Sequence, residues 1–298
     1  MNMVIKPEGG MLDCFLPLVP EEIRDYVEEG EGLCLGAVRD DTAAGILVFT
    51  VGDGVDKSCT PVTITNIHWL YTAEGYRHQG VASELMEALH EILSSSPSTV
   101  LACDIPKGYG YDGAEGFFSS KGFVFGTEDI PVMIVTKEDC RKQIRQADKE
   151  KALSLAEMPQ KPKGMSSLSE ITGIRFKKAM RIMLSDEEFD YYRELSEDKN
   201  MYDADTSFAV MRGDEISSMV LFRRTRSDEL HMVMLDALSD ADPKEMLSLL
   251  HYSAGSYYLK EPEEMTVRLT LWKQKSLNLA KHIFPGKDTL SLRRGYRI

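Results

Sequence analysis

Cysteine is sparse in this chain, and its five copies (Cys14, Cys34, Cys59, Cys103, Cys140) show no CxxC spacing. An odd, scattered set argues against a disulfide framework or a zinc site and reads as reduced thiols in a cytoplasm. Long apolar runs are missing as well, so no stretch of about 18 apolar residues is available to cross a bilayer. The opening segment, MNMVIKPEGGMLDC, has neither the basic nor the apolar region of a signal peptide. The expectation is therefore a cytoplasmic protein with no membrane partner and no metal. Two nucleotide signatures, GxxxxGK[ST] and a GxGxxG following a strand, do not occur. Basic residues are scarce in the first part: residues 1–136 hold 7 Lys+Arg against 21 Asp+Glu, whereas residues 137–298 hold 28 against 27. The acidic half repels nucleic acid and attracts cations, as either a solvated surface or a charged funnel.

What is present is a globular composition, 43% hydrophobic and 28% charged over 298 residues, enough for one large domain or two ordinary ones. GLCLGAVRDDTAAGILVF reads as a hairpin turning at Arg39–Thr42, and TPVTITNIHWLYT, rich in β-branched and aromatic residues, as the next strand. STVLACDI is a short buried strand, DGAEGFFSSKGF a short helix ending at Gly122, and PVMIVT a strand closing the first sheet. Thr136 and Asp139 resemble a capping box opening a charged helix from Lys137 to about Glu157. MPQKPKGMSS then breaks the pattern. These features divide the chain into a first domain over 1–136, a helical connector over 137–169 and a second domain over 170–298. The second domain repeats the order of the first: a strand–turn–strand (TSFAVMRGDEISSMVLF), a strand (ELHMVMLDAL), a helix, a strand (EMTVRLTL), a helix and a final strand (TLSLRRGYRI). Residues 37–49 align without gaps on residues 210–222, matching Arg39/Arg212, Asp41/Asp214 and Phe49/Phe222. Any two hairpins could share three such matches; the common order of elements is what favours duplication.

The segment YRHQGVASELMEALHEIL carries the most specific chemistry. Val81, Leu85, Met86, Leu89, Ile92 and Leu93 form an apolar stripe that anchors a helix to a sheet. The helix begins in a tight turn with Gly80 and small Ala82. Helix-start N–H groups lack intrahelical partners and the dipole is positive there, so such a turn suits an anion, although Gly80 also has the plainer use of relieving crowding.

These residues resemble the GCN5-related N-acetyltransferase (GNAT) family, whose signature Gln/Arg-x-x-Gly-x-Gly/Ala is matched by Arg77-His78-Gln79-Gly80-Val81-Ala82 after strand ITNIHWLYT. AEGFFSSKGF (Ala114, Phe117, Phe118, Gly122, Phe123) looks like a second family element, an Ala-x-x-aromatic-aromatic helix ending in Gly-Phe. The resemblance covers roughly residues 1–136. It implies two GNAT-like α/β domains, each a mixed, mostly antiparallel twisted sheet with helices on both faces. It also implies acetyl-CoA as acyl donor, with the backbone of residues 77–82 around its pyrophosphate. Leu70, Tyr71 and Thr72 would lie along its pantetheine arm, and a primary amine, possibly cationic, would be the acceptor.

Two positions depart from the family pattern. Where several relatives carry a glutamate base stands Asn66, which cannot take a proton. His68, two residues on and on the same strand face if no bulge intervenes, is the candidate base, with a packing role as its alternative and Asp104 as second choice. Where the family often has a tyrosine acid stands Phe118. Tyr111, or Tyr109, can substitute if the helix begins early enough, or both belong to an ordinary surface loop. Cys34 and Cys103 read as inert core thiols. The second half offers LDALSDADPKEM at the matching place, with Pro243 and no glycine. It reads as a copy without CoA binding that shapes the acceptor cleft or forms a homodimer. The competing functions are a degenerate acyl-CoA sensor or scaffold, and an interaction protein that binds no CoA.

Overall fold

The computed structural model describes residues 3–56, 60–94, 99–107, 111, 113–147, 161–185, 194–238, 241–272 and 274–298. The first half contains β1 (Met3–Ile5), α1 (Glu21–Glu28), β2 (Leu33–Arg39), β3 (Thr42–Val55), β4 (Pro61–Thr72), α2 (Val81–Leu93), β5 (Thr99–Pro106), α3 (Ala114–Ser120), β6 (Val124–Phe125), β7 (Ile130–Val135) and α4 (Lys137–Ala147). The second contains β8 (Met165–Ser167), α5 (Gly173–Ser185), β9 (Phe208–Arg212), β10 (Glu215–Arg226), β11 (Glu229–Ala237), α6 (Pro243–Lys260), β12 (Thr266–Thr270), α7 (Gln274–Ile283) and β13 (Leu290–Arg297). The capping box at Thr136 is present: Asp139 accepts from the Thr136 backbone N–H at 2.9 Å and from its hydroxyl at 2.8 Å. The helix that it opens is described to Ala147, and the remainder of the expected span to Glu157 lies outside the described residues.

All strands join one mixed sheet in the order β1-β2-β3-β4-β5-β13-β7-β12-β11-β10-β9-β8, with β6 pairing β13 off this path. Among the described residues only β4·β5 and β11·β12 pair in parallel; every other pair is antiparallel. Helices cover both faces in each half. On one face of the first half α2 packs Val81, Leu85 and Leu89 against Leu47, Phe49, Ile67 and Cys103. Fully burying such side chains stabilises by about 1.5–3 kcal/mol each. On the other face, Phe15, Val19 and Val27 of α1 and its lead-in cover Cys34, Ile46 and Val48. In the second half α5 and α6 take corresponding places. The α2 stripe is as expected except at Ile92, which is exposed.

The closing strands correct the sequence reading. PVMIVT was expected to close the first sheet, but β7 pairs with β12 of the second half, while β13, at the end of the chain, lies beside β5 of the first. The two then pair with each other through Leu290–Leu292. The halves have thus exchanged their last strands. Gly295 helps fix the register, because any Cβ there would lie 2.5 Å from the Phe125 ring. β8 and α5 of the second half escaped the sequence reading, as did β1, α1 and β6 of the first; all but α5 are short, and α5 carried a legible helical stripe in Phe176, Ala179, Met180, Met183 and Leu184.

The duplication is visible in irregular features. Val48 pairs Trp69 and Phe49 pairs Ile67, leaving His68 as the extra residue of a bulge in β4. In β11 the same bulge falls on Val233, because Leu221 pairs Met234 and Phe222 pairs Met232. Arg39 at the end of β2 ion-pairs with Glu84 in the first turn of α2. Arg212 at the end of β9 pairs with Glu245 in the first turn of α6 at 2.9 Å.

Candidate functional site

The turn before α2 is held open by its own backbone. His78 and Gly80 have positive φ (60° and 84°), and Gly80 caps the helix in the left-handed conformation that glycine adopts without cost. The Gln79 side-chain amide donates to the Gly75 carbonyl at 2.9 Å, and the Arg77 guanidinium stands 5.7 Å from the Tyr71 ring centroid. From His78 to Ser83, six consecutive backbone N–H groups take no backbone acceptor among the described residues. They sit at the positive end of the α2 dipole, and residues 77–80 are exposed. A Cβ on Gly80 would meet only Glu84 Oε1, at 3.9 Å, so the space over the turn is clear. Gly45, which the sequence reading passed over, lets the helix start sit down on β3: a Cβ there would lie 2.7 Å from Val81 Cγ1 and 2.9 Å from the Tyr71 carbonyl.

Beside this turn β4 and β5 part. Their parallel ladder runs from Thr63/Thr99 to Ile67/Cys103 and stops. Beyond it Leu70, Tyr71 and Thr72 keep only β3 as partner, so one edge of their backbone faces the opening. The bulge at His68 begins where the strands separate and places His68 and Trp69 together on the α1 side. Trp69 packs in the α1 cluster, and His68 lies edge-on to Tyr26 of α1 at 5.3 Å between ring centroids. The bulge therefore does not remove His68 from the face of Asn66; both line one cleft.

That cleft, about 380 Å³, lies between the halves. Tyr26, Thr50, Asn66, His68 and Asp104 line it from the first half, and Glu194, His231, Arg268, Thr270 and Trp272 from the second. Arg294 arrives on the exchanged strand β13. Its Nη1 donates to Asp104 at 3.2 Å and its Nη2 to Asn66 Oδ1 at 3.2 Å, with Glu194 3.7 Å away and Trp272 beneath it. Burial opposes its charge, but Asp104 and Glu194 outweigh it and hold Arg294 above the ordinary arginine range. Asn66 is thus an acceptor to arginine, and Asp104, the second candidate base, is committed to the same arginine.

His68 is reached by solvent within the cleft but is walled by protein. Desolvation lowers its pKa below the usual histidine value, Arg268 and Arg294 add to this, and Glu194 and Asp104 oppose it. Its Nε2 is 2.8 Å from Thr50 Oγ1. On the facing wall His231, bonded to Thr270 at 2.8 Å, is pushed well below the usual value, first by burial and then by Arg268, Arg223 and Arg294. Both imidazoles are neutral near pH 7.

Tyr111 does not fit the condition set for it. α3 begins only at Ala114, after Gly113 in the left-handed conformation, so Tyr111 precedes the helix, is exposed and is not among the cleft-lining residues. Tyr109 lies outside the described residues. Phe118 is buried against Phe117 and Phe123. Cys34 and Cys103 are buried, and desolvation raises both thiols, Cys103 to about 12, so neither supplies a thiolate at neutral pH. Among the described residues no group of acidic, histidine or cysteine side chains is arranged to hold a metal ion, and no helix is long and apolar enough to cross a membrane.

At the corresponding helix start of the second half a side chain takes one of the backbone N–H groups. Asp242 caps α6 by accepting from the Lys244 N–H at 2.9 Å. Glu245 accepts from Ser217 at 2.7 Å, Ser218 at 3.2 Å and Arg212. Asp240 of this segment lies outside the described residues.

The sequence reading missed Arg294, Arg268, Glu194, His231 and Trp272. A signal existed for one of them: Arg268 interrupts TVRLT at a strand position between two buried apolar residues.

Residues 8–104 match the acetyltransferase (GNAT) family model. Among solved structures the chain resembles, over its whole length, a GCN5-related glucosamine N-acetyltransferase region of a fungal multi-domain β-N-acetylglucosaminidase (TM-score 0.65, 11% identity). It spans 38% of that protein's chain. It likewise matches over its whole length a tandem GNAT protein from the clavulanic acid biosynthesis pathway (0.58, 11%, 98% of that chain). The third is the N-myristoyltransferase of Saccharomyces cerevisiae with bound myristoyl-CoA (0.54, 12%, 100% of this chain and 83% of that one). At these identities the likeness is one of fold. No curated protein sequence matches the chain.

Proposed function

We propose, for a chain whose residues 8–104 match the acetyltransferase (GNAT) family model, that it transfers an acetyl group from acetyl-CoA to a primary amine. The observation carrying this reading is the conjunction of six N–H groups at residues 78–83 that take no backbone acceptor among the described residues with a strand opening that leads to a histidine in the cleft between the halves. The pyrophosphate lies on the backbone of Arg77, His78, Gln79, Gly80, Val81 and Ala82, and the pantetheine arm along Leu70, Tyr71 and Thr72. Bound acetyl-CoA supplies the electrophilic carbon; the acceptor nitrogen forms the new C–N bond as the C–S bond breaks. An N–H on the open edge of β4 stabilises charge developing on the thioester oxygen. His68 takes the proton from the amine. Tyr26 shares a hydrogen bond with Thr50. If the Thr50 hydroxyl donates there, it accepts from His68 Nε2–H and leaves Nδ1 as the base. Tyr111 has no support as the acid, so the thiolate leaves to solvent.

In the same reading residues 1–136 are the acyl-CoA domain, 137–169 the connector and 170–298 a copy that no longer binds CoA and supplies the second wall of the acceptor cleft. The test is acetyl-CoA titration together with CoA release over a panel of primary amines. Binding with amine-dependent release is expected. Binding without release by any amine identifies instead a sensor or scaffold, the reading that Asn66 and Phe118 favour. No binding refutes both.

A further inference from the structure

Three arginines line the cleft, and two are spoken for. Arg294 is held by Asp104 and Asn66. Arg226 pairs with Asp228 at 3.0 Å and donates to the Glu22 carbonyl. Arg268 takes no ion pair and no hydrogen bond among the described residues, and its Nε is sealed from solvent without a partner. Leaving a buried cationic N–H unpaired costs on the order of a few kcal/mol. Strand alternation sets its direction: Val267 and Leu269 are buried in the α6 cluster, so Arg268 and Thr270 face the cleft. The carboxylates of the cleft are turned to other groups, Asp104 and Glu194 to Arg294 and Glu229 to Thr225, and His231, the partner of Arg268 across the parallel ladder, is bonded to Thr270.

We infer that Arg268 anchors a carboxylate on the acceptor, so that the acceptor is an amine bearing a carboxylate, an amino acid being the simplest member. The inference rests on the acyltransferase reading and adds to it the acceptor's class. The Nε is closed to a ligand, but the two Nη groups take no partner among the described residues and Arg268 lines the cleft, so their N–H groups are the ones that can meet the two oxygens of a carboxylate. His68 stands in the same cavity on the first-half wall, near enough that the Arg268 charge lowers its pKa. An acceptor that bridges the walls presents its amine to the base while its carboxylate is held by the other half. Ile130, Val132 and Leu292, from the exchanged strands, and Trp272 line the space with apolar surface for the body of such a molecule. The second half thereby has a role that requires no CoA site of its own.

The test uses the full chain in two arms. Titration with acetyl-CoA alone reports on the acyl-donor reading and does not involve Arg268. Saturation-transfer NMR, with the twenty amino acids and their α-carboxamides as probes, reports on the anchor without turnover. At least one amino acid is expected to bind, with its carboxamide about 10-fold weaker or worse. Arg268→Met should erase that difference and Arg268→Lys retain part of it, acetyl-CoA affinity being unchanged in both. If Arg268→Met fails to fold, the parent's preference and the Arg268→Lys protein still decide. Equal binding of carboxylate and carboxamide, an undiminished preference in the folded Met variant, or no binding by any amino acid overturns the inference. Failure in this arm beside a normal acetyl-CoA titration leaves the acyl-donor reading standing.

Discussion

Gly80→Glu is expected to weaken acetyl-CoA binding by at least about 100-fold while the protein stays folded. Two like charges about 4 Å apart near a protein surface repel by several kcal/mol, and a glutamate here meets both the incoming pyrophosphate and Glu84, whose Oε1 lies 3.9 Å from the new Cβ. The backbone adds a smaller penalty, because φ of 84° costs a non-glycine residue roughly 1–2 kcal/mol. Gly80→Asn separates the two effects, since asparagine tolerates the left-handed region and brings no charge. It should fold and keep most of the affinity. Circular dichroism checks the fold and calorimetry the affinity. A folded Gly80→Glu protein that binds acetyl-CoA like the parent places the donor elsewhere.

His68→Ala should lower the turnover rate by about 10²–10⁴ and leave acetyl-CoA affinity unchanged, because a general base acts on the amine and not on the phosphates. The pH profile carries a sharper signature. Burial depresses the His68 pKa, so its neutral, proton-accepting form persists below the pH at which an ordinary histidine titrates. The parent's kcat/KM should therefore hold near neutrality and fall on an acid limb displaced below pH 6.5. That limb should vanish in the alanine variant. An unchanged rate, or an unchanged acid limb, removes His68 from the proton transfer and leaves it as a packing partner of Tyr26 and Thr50.

The parts of this site that could be read from the sequence are those encoded by adjacent residues. Glycine at 80, the small Ala82 and the apolar stripe through Val81, Leu85 and Leu89 specify a turn, an exposed helix start and an anchored helix within twenty residues. The Arg39/Arg212 match was legible for the same reason and proved to mark paired ion bridges to Glu84 and Glu245. What could not be read is what depends on distant pairing. PVMIVT and TLSLRRGYRI are both plausible closing strands, and no local pattern says which half either joins. The exchange was therefore invisible, and with it the delivery of Arg294 to Asp104 across 190 residues. Tyr111 failed on a boundary: Gly113 starts α3 too late for it to share a face with Phe118. The bulge at His68 was posed as a condition and fell on the residue itself, with a consequence that only the pairing of β3 with β4 could decide.

The strand exchange also determines how the central claim is best tested. Residues 170–298 alone would lack β7, the neighbour of β12, and leave β13 without β5, so the intact chain is the proper object. Calorimetric titration of the full chain with acetyl-CoA counts the sites directly. One site per chain is predicted: the turn at residues 77–82 offers open N–H groups, whereas Asp242 takes the Lys244 N–H at the corresponding helix start and would repel a pyrophosphate there. Two sites per chain, or none, would contradict the account.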